Sequence, residues 1–237
     1  MTFIIARTDE EDPARTEFED RLAELAAGRL EADVLIVPHI YHVAHTDSLW
    51  QNLSSLDGPM VAATWLYQRA AEWVLRSHGI GAAGVQTLNM ADFGSPEECL
   101  DACGIGPGSG SVRDLSKRIE PRWYPVIDYS RCANCGQCRQ FCLFEVYSED
   151  EAGAIRAVAP DNCKDGCPAC ARVCPHGAIL FPLYLRDAAV AGAPGIVPEP
   201  DEAAKRMFEE RTRTEYVGPN AALDDLIDDL EQLMEGS

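Results

Sequence analysis

Eight of the ten cysteines in this 237-residue chain fall between positions 132 and 174, in two runs of nearly equal spacing. The first is Cys132-x2-Cys135-x2-Cys138-x3-Cys142, and the second is Cys163-x3-Cys167-x2-Cys170-x3-Cys174-Pro175. Thiols this dense either pair with one another or bind metal, and the redox compartment decides which. The opening MTFIIARTDEEDPAR has no basic lead-in and no cleavage site, so no secretory signal is expected and a cytoplasmic, reducing setting follows. A disulfide framework is thereby disfavoured. Zinc usually takes its cysteines as two separated pairs, not in threes with a distant fourth. Three thiolates two or three residues apart on a tight loop instead wrap one corner of an iron–sulfur cubane, and its fourth iron is reached from elsewhere in the chain.

The runs resemble those of the bacterial two-[4Fe-4S] ferredoxins, whose C-x2-C-x2-C-x3-C-P pattern sends its fourth cysteine to the other cluster. The resemblance covers about residues 124–182. It implies two [4Fe-4S] clusters, one held by Cys132, Cys135, Cys138 and Cys174, the other by Cys163, Cys167, Cys170 and Cys142. It also implies a strand at Pro125–Tyr129 entering the first loop and another at Ala178–Phe181 leaving the second. Between the runs, Glu145–Ser148 and Ala154–Val158 suit a hairpin around the turn Glu149–Gly153. The chain departs from the pattern twice. Leu143 stands where proline usually follows the fourth cysteine, and Cys163-x3-Cys167 carries an extra residue that Gly166 makes tolerable.

Ahead of this module, apolar runs alternate with helical periodicity. Residues 2–7 and Val34–Val37 read as strands, the latter ended by Pro38 and apolar enough to be buried on both faces. Between them Asp12-Pro13 and the capping box Thr16-x-x-Glu19 mark a helix start, followed by Phe18, Leu22, Leu25, Ala26 and Leu30 on one face. Met60–Ala63 and Gly84–Leu88 read as further strands, with a helix carrying Leu66, Ala70, Trp73 and Val74 between them. Ser95-Pro96-Glu97-Glu98 caps one more short helix, on which Cys99 and Cys103 share a face and read as small buried residues. Strand–helix alternation favours a small α/β layer with a mainly parallel sheet over residues 1–103. Residues 104–121, which open Gly-Ile-Gly-Pro-Gly-Ser-Gly-Ser, read as a flexible linker, since a phosphate loop would follow a strand and end in Gly-Lys-Ser/Thr. The ferredoxin module, an α+β unit, then occupies 122–186, and a tail with an acidic amphipathic helix at Asn220–Glu235 occupies 187–237.

Charge separates these parts. The whole chain carries −19, with −10 on residues 1–121, zero on 122–186 and −9 on 187–237. A sequence pI near 4.5 excludes nucleic acid or an anionic membrane as the main partner, and no apolar run approaches the ~18 residues of a membrane span. The acid excess either steers a basic-surfaced redox partner or serves solubility alone.

A softer signal is His39-x2-His42-x2-His45, directly after the second strand, where loops of α/β domains often bind ligands. No Ser-His-Asp set, H-E-x-x-H or paired-carboxylate spacing accompanies it. Two readings follow. In the first, the protein is an electron carrier, or the electron-feeding subunit of a larger oxidoreductase, without a catalytic acid or base of its own. In the second, the α/β domain is a metal- or substrate-binding enzyme domain around His39, His42 and His45, with a built-in ferredoxin supplying electrons.

Overall fold

The computed structural model describes residues 1–196, except 10, 82 and 83, together with residue 206. The amphipathic helix expected at 220–235 lies outside the described residues.

Strand β1 (Thr2–Ala6) runs into helix α1 (Pro13–Arg29). Asp12 caps that helix by accepting the amides of Ala14 at 2.9 Å and Arg15 at 3.4 Å, and Pro13 takes the first helical position. The capping box expected from Thr16 and Glu19 therefore does not form, because the helix starts a turn earlier. Thr16 bonds back to the Asp12 carbonyl, and Glu19 turns inward with 1% of its surface exposed.

The chain continues through β2 (Asp33–Val37), α2 (Ser48–Ser54), β3 (Met60–Thr64), α3 (Gln68–Ser77), β4 (Val85–Asn89) and α4 (Pro96–Asp101). Asp47 caps α2 and Ser95 caps α4. With β5 (Val112–Asp114) these strands form one parallel five-stranded sheet in the order β4-β3-β1-β2-β5. Strand side chains alternate between faces. Phe3, Ile5, Val34, Ile36, Val61 and Ala63 pack under α1 and α4, joined by the buried thiols of Cys99 and Cys103. Ile4, Ala6, Leu35, Val37, Met60 and Ala62 pack under α2 and α3.

The glycine-rich segment is not the flexible linker its composition suggests. Its carbonyl at Gly106 accepts the Glu31 amide, while the amides of Gly108 and Gly110 donate to the carbonyls of Arg29 and Ala27. Gly110 lies so close to the α1–β2 turn that a Cβ there would stand 1.7 Å from the Ala32 carbonyl oxygen. Glycine is thus required for a close backbone approach, which seats Ser111 to accept the Val34 amide at 2.8 Å and starts β5.

The cysteine-rich segment contributes β6 (Val126–Ile127), α5 (Gln137–Phe141), β7 (Tyr147–Glu149), β8 (Ile155–Ala157), α6 (Ala169–Val173) and β9 (Ile179–Leu180), followed by α7 (Ala188–Ala191). Strands β6 and β9 pair antiparallel, and β7 and β8 form the hairpin. Its apolar residues are divided between two cores. Tyr124, Val126 and Leu180 complete the α2–α3 side of the parallel sheet, whereas Ile127, Val146, Ile155, Ile179 and Phe181 surround the cysteines.

Candidate metal centre

Each cysteine run is a loop leading into a one-turn helix, and its first three thiols line one cavity. The first loop turns at Asn134 (φ 56°) and Gly136 (φ 75°) before α5, and the second at Gly166 (φ 72°) before α6. Asparagine and glycine are the residues that take left-handed backbone most readily. The fourth thiol of each run follows the helix that its loop leads into.

All eight cysteines are free of disulfides. They divide between two cavities. One, of about 190 Å3, is lined by Cys142, Cys163, Cys167 and Cys170, with Pro125, Val146 and Tyr147 as apolar wall. The other, tighter at about 20 Å3, is lined by Cys132, Cys135, Cys138 and Cys174, with Ile127, Ile155 and Ile179 behind them. Four thiols and an otherwise largely apolar wall at each cavity form the soft, all-sulfur donor set that iron–sulfur clusters take. Burial pushes the Cys138 and Cys163 thiols up to about 12, and Cys170 in the same direction. These thiols are protonated until metal binds, and metal loading therefore releases protons.

Two donors already point at sulfur. The Tyr147 hydroxyl donates to Cys170 Sγ at 3.1 Å, and the Ala178 amide donates to Cys174 Sγ at 3.3 Å. Tyr147 is 6% exposed, and the side chain beside α6 satisfies its hydroxyl.

The α/β layer grips both loops. Arg69, on α3, reaches Asp128 Oδ2 at 2.6 Å through Nε and the Gly177 carbonyl at 2.6 Å through Nη2. Asp128 is 1% exposed, and its own carbonyl accepts the Cys132 amide at 3.0 Å. One guanidinium thus braces the start of the first cysteine loop and the exit of the second.

The histidines do not form the triad their spacing suggests. The loop after β2 is a socket for residues 122–124. Tyr41 donates its hydroxyl to the Tyr124 carbonyl at 2.5 Å and accepts the Tyr124 amide at 2.8 Å, with the rings stacked 4.4 Å apart. Nδ1 of His42 accepts the Arg122 amide at 2.9 Å. His45 stacks at 4.7 Å on His78, which lies flat against Trp50 at 3.7 Å. Only His39 and His42 share a site, and the partner they meet is Asp9, after β1. Their spacing of three is a turn closed by the His42 amide on the His39 carbonyl at 2.9 Å, which leaves His45 on the far side.

Sequence reasoning missed Asp9, Arg69, Asp128 and Tyr147. Each acts on a partner distant in the chain, and none belongs to a short motif.

Residues 124–177 match the family model described as a 4Fe-4S dicluster domain. An uncharacterized ferredoxin of Methanocaldococcus jannaschii is 43% identical over 67 residues, which is 28% of this chain and 45% of that protein. The chain therefore spans less than half the length of that relative. No solved structure matches the chain. Among the described residues no helix is long and apolar enough to cross a membrane. What the cavities, the all-thiol donor sets and the family match jointly identify is a 4Fe-4S dicluster domain at residues 124–177, set within a longer chain.

Proposed function

We propose that the protein is an iron–sulfur electron carrier, or the electron-feeding subunit of an oxidoreductase, passing single electrons through two [4Fe-4S] clusters. In this reading Cys132, Cys135, Cys138 and Cys174 hold one cluster, and Cys163, Cys167, Cys170 and Cys142 hold the other. The observation that carries it is the division of eight thiols into two sets of four, each set containing three cysteines of one run and the last cysteine of the other. When bound, each cluster supplies a one-electron couple. The chain's own residues supply the cage, the apolar wall and the donors to sulfur. Leu143, 70% exposed beside Cys142, leaves the edge of one site close to solvent, where a partner's redox centre can approach. A basic-surfaced partner is supported by the −19 net charge, and its association rate falls as salt rises.

Anaerobic reconstitution with iron and sulfide counting, followed by EPR of the reduced protein, tests the reading. About eight irons and an interacting-spin signal are expected. About two zincs per chain with no visible absorption would overturn it.

A finer consequence concerns Tyr147. A hydrogen bond to a cluster sulfur favours the reduced, more negative form. Tyr147→Phe should keep both clusters and lower the potential of the one that Cys170 binds, by on the order of tens of millivolts. Voltammetry of the variant measures this directly, and an unchanged pair of potentials would contradict it.

A further inference from the structure

We propose that the α/β layer holds a divalent transition-metal site, ligated by Asp9 and His39, with His42 positioning the Asp9 carboxylate. The proposal is independent of how the eight cysteines are shared between clusters.

The place is where the fold itself opens a crevice. From β1 the chain passes to β2 on one side and later to β3 on the other, so the carboxyl ends of β1 and β3 flank a topological switch point, the usual binding position in open α/β sheets. A cavity of about 420 Å3 lies there. Asp9 follows β1, His39 follows β2, Trp65 follows β3, and Asn89 ends β4; Asp92 and Leu183 also line it, as does Arg15, whose guanidinium lies over the Trp65 ring at 4.8 Å. Leu183 comes from the segment after β9, so the cluster-binding module covers part of the opening.

The donors are set up for a cation. Asp9 Oδ1 and His39 Nε2 are 3.9 Å apart, too far for a hydrogen bond and within the span of two metal–ligand bonds of about 2.0–2.2 Å. The hydrogen bond from His42 holds the Asp9 carboxyl down at about 2, so it is ionised. Burial holds His39 down at about 4, so it is a neutral imidazole, the form that ligates. His39 is 5% exposed.

His42 is excluded as a ligand by its tautomer. A backbone amide can only donate, so His42 Nδ1, which takes the Arg122 N–H, must be the acceptor. The proton therefore sits on Nε2, and that N–H donates to Asp9 Oδ2 at 2.8 Å. His42 thus orients the carboxylate through Oδ2 and leaves Oδ1 on the side of His39, as outer-shell groups do for ligating carboxylates. Glu19 steadies the same wall by accepting the Thr8 amide at 2.6 Å and Trp65 Nε1 at 2.7 Å. A mixed imidazole–carboxylate set suits zinc and its first-row neighbours better than magnesium. With two protein ligands, the remaining coordination positions face the cavity and are open to an oxygen donor of a small ligand.

Equilibrium dialysis of the cluster-loaded full chain against zinc tests the site, with metal counted beyond the iron of the clusters. About one zinc per chain is expected, undisturbed by an equal concentration of magnesium. Asp9→Asn and His39→Gln should each reduce it to background, with the cluster absorption and circular dichroism unchanged as the check on folding. His42→Ala should weaken binding about 10–100-fold. His42→Gln, whose amide N–H stands near the position of Nε2–H, should recover most of that loss, whereas replacement of a ligand would not be rescued. His45→Ala should bind as the unaltered chain does. Zinc retention by Asp9→Asn equal to that of the unaltered chain, or no zinc above the Asp9→Asn level in the unaltered chain, overturns the site. Failure of His42→Gln to recover binding overturns the positioning role.

Discussion

Arg69→Met is expected to lower the stability of the protein by about 3–5 kcal/mol and to speed iron loss from one cluster only. The stability term follows from what is left behind. Asp128 is 1% exposed, and among the described residues its Oδ2 keeps only Arg131 at 3.8 Å once the 2.6 Å contact to Arg69 has gone. A carboxylate stranded in the interior costs far more than an exposed pair would ever contribute. The Ser130 amide and hydroxyl still donate to Oδ1, which places the cost toward the lower end of the range. Asp128→Asn in the same chain removes the stranded charge, so the double variant should be more stable than the sum of the two single losses predicts. The effect on iron follows from the backbone. Asp128 presents its carbonyl to the Cys132 amide, and Gly177, three residues after Cys174, loses its guanidinium donor. Both contacts belong to the cavity lined by Cys132, Cys135, Cys138 and Cys174. Iron release to a chelator should therefore split into two phases in Arg69→Met, one fast and one at the original rate. A uniform acceleration would mean that Arg69 supports the module as a whole.

The parts of this architecture that a reader of the sequence can see are those fixed by local chemistry. Val34–Val37 is apolar because it is buried on both faces, and Ser95-Pro96 starts a helix because a hydroxyl and a ring suit its first turn. The cysteine spacing is visible for the same reason, since three thiols must reach one point from one short loop. Strand β5 has no such signal. Val112, Arg113 and Asp114 are all exposed, and the strand exists through its backbone pairing to β2, made possible by the contact of Gly110 with Ala32. A glycine required by close approach and a glycine in a linker look alike in a sequence. Glu19 illustrates the reverse case. Its spacing from Thr16 fits a capping box, but Arg7 and Trp65, distant in the chain, draw it into the interior. The histidines fail as a triad because regular spacing does not determine direction: His42 faces Asp9 and Arg122, while His45 turns to His78.

Cys174→Ala is expected to remove the cluster of the first cysteine loop although Cys174 belongs to the second. Cys174 lines the cavity of Cys132, Cys135 and Cys138, and not the one lined by Cys163 and Cys167. Its sulfur also accepts the Ala178 amide, so the variant leaves a buried N–H without its acceptor beside the same cavity. Iron should fall to about four per chain, and the interacting-spin EPR signal should give way to that of an isolated cluster. Cys142→Ala should produce the reciprocal result, because Cys142 lines the cavity of Cys163, Cys167 and Cys170. The surviving clusters of the two variants must then differ. Only the one remaining in Cys174→Ala keeps the hydroxyl of Tyr147 on a ligand sulfur, so Tyr147→Phe should shift its potential and leave that of the Cys142→Ala chain unchanged. A Tyr147 effect that appears in Cys142→Ala and is absent from Cys174→Ala would mean that each run holds its own fourth cysteine.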